Sequence, residues 1–318
     1  FPTRRSSDLV NAVRGVSFTL RRGETLGLVG ESGCGKSLTA MTIMGLQPEG
    51  AVATGSLRFH GEEMIGQSEA RWCALRGDRI GMVFQEPMSA LNPVHTVGHQ
   101  VAEPLRLHRG LNAAAARKEA VALLDRVGIA DAARRFDAWP HQFSGGQRQR
   151  ITIAMALACG PDLLIADEPT TALDVTIAGQ ILQLIRDLVR ERSMGLILIS
   201  HDLGVIAQNV ERMMVMYGGL VVESGRTRDV FTRRAHPYTQ GLFGSRPQLG
   251  PQECQPGGQR ARLAAIPGNV PELRHMPPGC PFAGRCAGAM PTCESRMPAD
   301  SRLAHGHHAR CALLESAG

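Results

Sequence analysis

The chain has 318 residues, 43% of them hydrophobic, enough for one large domain plus an appendage or for two domains. Aromatics at 4% leave the core to Leu, Ile, Val, Met and Ala. The net charge of +6 is spread without a run of five like charges and so is weak evidence for nucleic acid, reading better as a solvated surface; no apolar run approaches the ~20 residues of a transmembrane helix, so any membrane role is expected to come by docking.

Residues 1–9 (FPTRRSSDL) carry no strand pattern and are expected to be non-native, foreign to the rest of the chain. Val10–Leu20 alternates as a strand would, Arg21-Arg22-Gly23 reads as a turn, and Glu24–Val29 is a short apolar strand candidate. Next comes Gly30-Glu31-Ser32-Gly33-Cys34-Gly35-Lys36-Ser37, followed from Leu38 to Leu46 by an apolar, helix-compatible stretch. A glycine-rich turn between strand and helix aims backbone N–H groups into one concavity, and the helix N-terminus adds partial positive charge. Any Cβ at those glycines is expected to block the phosphates. Lys36 can reach the β- and γ-phosphates and the Ser37 hydroxyl can ligate Mg²⁺, so this stretch reads as a nucleotide site.

Gly55–Gly61 is expected as a short strand, Trp72–Arg76 as a brief helix, and Arg79–Phe84 as a strand ending at Gln85. Pro87 and Pro93 frame a loop, after which Thr96–Leu107 and Ala113–Val127 read as helices; Ala120, Leu123, Leu124 and Val127 mark one apolar face. Phe143-Ser144-Gly145-Gly146-Gln147 precedes the helix Arg148–Leu157. The unbroken apolar run Leu163–Ala166 predicts a parallel strand buried on both faces. Thr176–Arg192 is an amphipathic helix with Ile177, Ile181, Leu184, Ile185 and Leu188 on its buried stripe. Leu196–Ser200 is the next central strand, and Arg212–Tyr217 and Leu220–Glu223 flank a Gly218-Gly219 hairpin signal. The expected fold is α/β, a parallel-sheet core with antiparallel strands and a helical insertion at about 92–158. Beyond residue 230 the texture changes, and residues 244–281 are rich in Pro and Gly. That tail cannot build much core alone, so something else must order it.

Four features join the phosphate loop chemically. Asp167-Glu168 closes the buried strand: the first can support Mg²⁺ through water, the second can act as general base for an attacking water. Gln85, at a strand end, can sense both Mg²⁺ and that water. His201 follows Leu196–Ser200 at the carboxyl edge of the sheet, where it can contact a γ-phosphate. Ser144–Gln147 is a second anion-binding turn at a helix start. One nucleotide has little use for two such turns, so this one is expected to complete the site of a facing subunit.

Of the eight cysteines, five lie after residue 253, which suggests metal ligation in the tail. Cys280, Cys286, Cys293 and Cys311 are spaced C-x5-C-x6-C-x17-C, wider than the C-x2–4-C pairs of structural zinc. Four thiolates in a core-poor tail suit a [4Fe–4S] cluster, with zinc or free thiols as the alternatives. His305, His307 and His308 are substitute-ligand candidates or a solvated tail, and Cys254 lies outside the pattern.

The order phosphate loop, Gln85, Ser144–Gln147, Asp167-Glu168, Leu173-Asp174 and His201 resembles the ATPase subunit of an ABC transporter over residues 10–230. The resemblance implies a P-loop NTPase of ABC type that hydrolyses ATP with Mg²⁺. Gly30, Glu31, Ser32, Gly33, Cys34, Gly35, Lys36, Ser37 and Leu38 would hold the nucleotide, with Ser37, Gln85 and Asp167 at Mg²⁺. Glu168 would be the catalytic base and His201 the γ-phosphate switch; Ser144, Gly145, Gly146 and Gln147 would touch the partner's ATP, with Asp174 at the dimer seam. The adenine-stacking aromatic of the family has no counterpart upstream of the loop. Phe84–Pro93, Asp174-Val175-Thr176, His236-Pro237-Tyr238-Thr239, Ile266-Pro267-Gly268 and Gly279–Phe282 leading to Arg285-Cys286 are similar to the oligopeptide, dipeptide and nickel importer branch. That branch implies a peripheral protein on the cytoplasmic face of the inner membrane. Its partners would be a second, related ATPase, two permease subunits reached through Gln85–Pro93, and an external binding protein. Residues 231–318 would form a small irregular Cys-rich domain. A soluble ABC-type ATPase acting on nucleic acid or ribosomes is the competing expectation.

Overall fold

The computed structural model describes residues 10–86, 90–171, 173–245 and 265–315. Its contacts divide the chain into two units. A helical unit holds Thr19–Leu26 and Ser37–Ser200; a tail unit holds the residues up to Phe18, Gly27–Lys36 and everything from His201 onward.

In the helical unit, strands β4 (Ile80–Val83), β5 (Leu163–Asp167) and β6 (Gly195–Ile199) lie side by side and parallel. The register runs from Ile80↔Leu163 to Val83↔Ala166 and from Leu163↔Gly195 to Asp167↔Ile199. Every residue of the three is buried, as their unbroken apolar sequences require of strands covered on both faces. Helix α1 (Lys36–Ile43), which belongs to this unit from Ser37 onward, and the two-residue strands β2 (Arg58–Phe59) and β3 (Glu62–Glu63) precede α2 (Glu69–Leu75). The insertion is helical as expected: α3 (Val97–Arg109), α4 (Ala113–Arg126), α5 (Ala132–Arg135) and α6 (Gly145–Ala156). Helix α7 (Val175–Arg192) follows β5 and buries Ile181, Leu182, Ile185, Leu188 and Val189. Leu182 and Val189 replace Ile177 and Leu184 of the expected stripe, both of which are half-buried.

The tail unit is built on β7 (Arg212–Tyr217) and β8 (Leu220–Arg226), an antiparallel pair. Gly218 and Gly219, both at positive φ (54° and 79°), make the two-residue turn the sequence signals. Strand β1 (Thr25–Val29), whose Gly27–Val29 belong to this unit, neighbours β7. On the other side β8 pairs with β10 (His308–Ala309), and β10 with β9 (Ser301–Arg302). Helices α8 (Leu203–Asn209), α9 (Thr227–Arg233), α10 (Pro237–Gly244), α11 (Pro291–Ser295) and α12 (Ala312–Glu315) complete it.

One expectation changes. Val10–Leu20 forms no strand: Gly15 sits at φ 71°, and Arg14 is tied to the hairpin turn through its N–H to the Gly219 carbonyl (2.7 Å) and its guanidinium to the Gly218 carbonyl. The tail from 265 to 315 does not separate as a unit of its own. It is ordered by extending the edge of β8 and by burying Phe282, Ala309 and Cys311. Residues 1–9 and Cys254 lie outside the described residues.

Candidate nucleotide site

The loop between β1 and α1 is shaped by contacts within the tail unit. A Cβ at Gly30 would stand 2.2 Å from the Met216 carbonyl oxygen and 2.7 Å from Cys34 Sγ, so this glycine is required by the protein's own backbone rather than by a ligand. Lys36 is 6% exposed, and its Nζ donates to the carbonyls of Gly30 (2.8 Å) and Glu31 (3.1 Å) with Cys34 Sγ at 3.7 Å. The cation thereby stands inside the loop, where an anion's charge would be met. Burial pushes the Cys34 thiol above its ordinary range, against the pull of Lys36. Ser32 and Gly33 are exposed, while Glu31, Gly35, Ser37 and Leu38 are half-buried.

Two residues of which no role at this site was expected hold the loop. The Glu31 N–H donates to the Tyr238 hydroxyl at 2.8 Å. The Arg285 guanidinium donates to both Glu31 carboxylate oxygens, Nη1 at 2.7 Å and Nη2 at 3.1 Å, to the Tyr217 hydroxyl at 3.2 Å and, through Nε, to the Pro267 carbonyl at 2.8 Å. Tyr217 and Tyr238 are fully buried with ring centroids 4.6 Å apart, and burial raises both phenols above their ordinary range. Glu223, 1% exposed, accepts from the backbone N–H groups of Ala235 and His236 and contacts His307 Nε2 at 2.7 Å. His307 is therefore buried against a carboxylate rather than solvated, and His308 meets Asp300 at 3.0 Å.

In the helical unit Gln85 Nε2 donates to Glu168 Oε2 at 3.2 Å, and Thr171 Oγ1 donates to the same oxygen at 3.0 Å. Glu168 follows β5 with φ 45°, the left-handed region that non-glycine residues enter rarely, and its N–H donates to the Ile199 carbonyl (3.0 Å). Asp167, the last residue of β5, is 4% exposed. Ser144 and Gln147 close a reciprocal capping box at the start of α6: the Ser144 N–H donates to Gln147 Oε1 (3.1 Å) and the Gln147 N–H to Ser144 Oγ (3.3 Å). A Cβ at Gly146 would come within 2.7 Å of Ile177 Cγ2, so the second glycine is set by close packing on α7. Asp174 caps α7 by accepting from the Ile177 N–H at 2.9 Å. His201 follows β6 and is exposed. The sequence-assigned pair Gln85 and Glu168 is thus joined directly, and Ser144–Gln147 and Asp174 stand on packed helices. Pro87, Met88 and Ser89, within the expected coupling loop, lie outside the described residues.

The cysteines are gathered but not arranged as a ligand shell. Cys280, Cys293 and Cys311 are buried and Cys286 half-buried. The Cys280 N–H donates to the Cys293 carbonyl at 2.7 Å. The Cys280 thiol is pushed up to about 11, chiefly by burial and then by Cys293, Cys311 and Cys286. Among the described residues no group of three or more His, Cys, Asp or Glu is placed to hold a metal ion, so the four-thiolate site expected from the spacing is not preformed.

This parallel sheet with antiparallel strands, phosphate loop and capped helix start defines an ABC-type ATPase cassette. The model of the ABC transporter family matches residues 13–171, and that of the oligopeptide/dipeptide transporter C-terminal region matches residues 222–293. The dipeptide transport ATP-binding protein DppD of Bacillus subtilis is 49% identical over 96% of this chain and 90% of its own length. A putative peptide import ATP-binding protein of Brucella abortus is 50% identical over 95% and 89%. Among solved structures, the dimeric post-hydrolysis state of the ATP-binding cassette MJ0796 with ADP and Pi superposes with a TM-score of 0.63 at 29% identity, covering 71% of this chain and 95% of that one. The chain belongs to the ABC transporter family of ATPases, with the C-terminal region of its oligopeptide/dipeptide branch.

Proposed function

We propose that the chain is the ATP-hydrolysing subunit of a bacterial importer for dipeptides or oligopeptides, working at the cytoplasmic face of the membrane. The observation that carries this reading is the match of both its regions to peptide-import ATP-binding proteins at about half identity, over nearly the whole length of either chain. No helix among the described residues is long and apolar enough to cross a membrane.

In this reading residues 10–230 form the nucleotide-binding domain, with its helical subdomain at about 92–158, and residues 231–318 form the C-terminal region. The loop Gly30–Leu38 wraps ATP, with Glu31 shaping the loop through Tyr238 and Arg285 rather than touching the phosphates, and Lys36 neutralises the terminal phosphates. Ser37, Asp167 and Gln85 offer oxygen donors only, one of them a buried carboxylate, which fits Mg²⁺; when bound, that ion offsets charge on the phosphoryl oxygens. Glu168 takes the proton of a water that Gln85 orients, the water oxygen bonds to the γ-phosphorus, and the bond to the bridging oxygen of ADP breaks. His201 contacts the departing phosphate. Ser144, Gly145, Gly146 and Gln147 face the nucleotide of a second ATPase subunit across a seam that includes Asp174. Closure passes through Gln85–Pro93 to two permease subunits fed by an external binding protein.

The tail cysteines are proposed as ligands of a [4Fe–4S] cluster, with zinc as the alternative. Cys280, Cys293 and Cys311 are buried with Cys286 half-buried, and the Cys280 N–H bonds the Cys293 carbonyl at 2.7 Å; the raised Cys280 thiol opposes ligation until a metal displaces its proton. Ligation would deprotonate these thiols and draw them together. Anaerobic purification with the permeases and partner ATPase tests both parts. Hydrolysis rising on assembly with a broad visible absorbance is expected; indifference to the permeases overturns the importer, and a colourless zinc protein overturns the cluster alone.

A further inference from the structure

Glu31 places a carboxylate on the loop that must receive a polyphosphate, and the structure answers that charge from the far end of the chain. Arg285 forks onto both Glu31 oxygens (2.7 and 3.1 Å), and two further donors are fixed by the Pro267 carbonyl and the Tyr217 hydroxyl. Its side chain is 6% exposed and lies over the Tyr217 and Phe282 rings at 5.7 and 5.9 Å. The backbone of the same loop residue is held separately, by the Tyr238 hydroxyl.

We propose that Arg285 is a positioning residue for nucleotide binding, acting through Glu31. It masks a like charge beside the triphosphate and, with Tyr238, fixes the conformation of the loop at Glu31. A planar fork suits this role, because two parallel bonds orient the carboxylate as well as neutralise it. Arg285 sits immediately before Cys286, in the turn Ala283–Arg285 that follows Cys280, so the cysteine-bearing segment carries the clamp. Unclamped, Glu31 would keep its negative charge within the reach over which charges in a partly buried site still interact.

The proposal rests on reading residues 30–38 as the nucleotide loop, which Lys36→Ala tests separately: full ATP affinity in that variant would sink the loop assignment itself. For the clamp, fluorescent-ATP titration of the full chain is run on Arg285→Ala, Arg285→Lys and the double variant Arg285→Ala/Glu31→Gln, with melting temperature as the folding control. Arg285→Ala is expected to weaken ATP binding about tenfold, Arg285→Lys less, and the double variant to recover to within about threefold of wild type because the exposed charge is gone. In turnover the loss appears in KM, with kcat held within about twofold. Wild-type affinity in a folded Arg285→Ala protein overturns the proposal. Equal weakening in the single and double variants also overturns it, since that assigns the loss to collapse of the tail rather than to Glu31.

Discussion

Glu168 holds its carboxylate from a left-handed backbone, φ 45°, a conformation that costs of order 1–3 kcal/mol in a residue of this type. The surroundings that maintain it are an N–H bond to Ile199 and side-chain bonds from Gln85 and Thr171. Replacing the carboxylate by an amide preserves its shape and removes its basicity. Glu168→Gln is therefore expected to retain ATP affinity while turnover falls by about 10²–10⁴, and to accumulate as an ATP-bound dimer on size exclusion. Turnover within about twofold of wild type would remove Glu168 from the role of base. The placement of Glu168 at a strand end, within reach of Gln85, was legible in the sequence because both residues close apolar strand runs. Tyr238 and Arg285 were not, although both fall in segments recognised as peptide-importer motifs. Their partner Glu31 is 207 and 254 positions away, and no local pattern reports a contact that only folding creates.

Among the elements, the parallel strands were readable from unbroken apolar runs and the helix after β5 from its amphipathic stripe. The exceptions have local causes. Val10–Leu20 alternates like a strand but is turned by Gly15 and captured by the β7–β8 turn. The buried face of α7 takes in Leu182 and Val189, which a narrow stripe through Ile177 and Leu184 leaves out. Helix α10 shows how an element ties into pH. Its N-cap His236 is 1% exposed, accepts from the Tyr238 N–H through Nδ1 at 3.0 Å, and lies 6.0 Å from the Phe282 ring, with Glu223 bound to its backbone. Burial lowers the imidazole from 6.5 to about 4. Between those values the unfolded chain takes up a proton that the native site refuses, so this contribution is present above 6.5 and is lost as pH falls toward 4. It amounts to about 3 kcal/mol. Melting temperatures should drop across that window, and His236→Gln should flatten the drop; an unchanged slope would show that His236 does not govern it.

For the whole molecule, the sequence foresaw a tail that needs outside support but not the support itself. Strand β10 on the edge of β8 and Arg285 on Glu31 place the tail and the phosphate loop in one unit. The cysteine spacing remained readable as ligation chemistry, yet the described thiols do not stand as a preformed metal shell. If hydrolysis by this chain drives peptide import, reconstituted uptake depends on it. Proteoliposomes carrying this chain, its partner ATPase, the two permeases and the binding protein should accumulate labelled peptide only with ATP, and Glu168→Gln should abolish that uptake. ATP hydrolysis without peptide accumulation, stimulated instead by ribosomes or nucleic acid, would rule out a peptide importer.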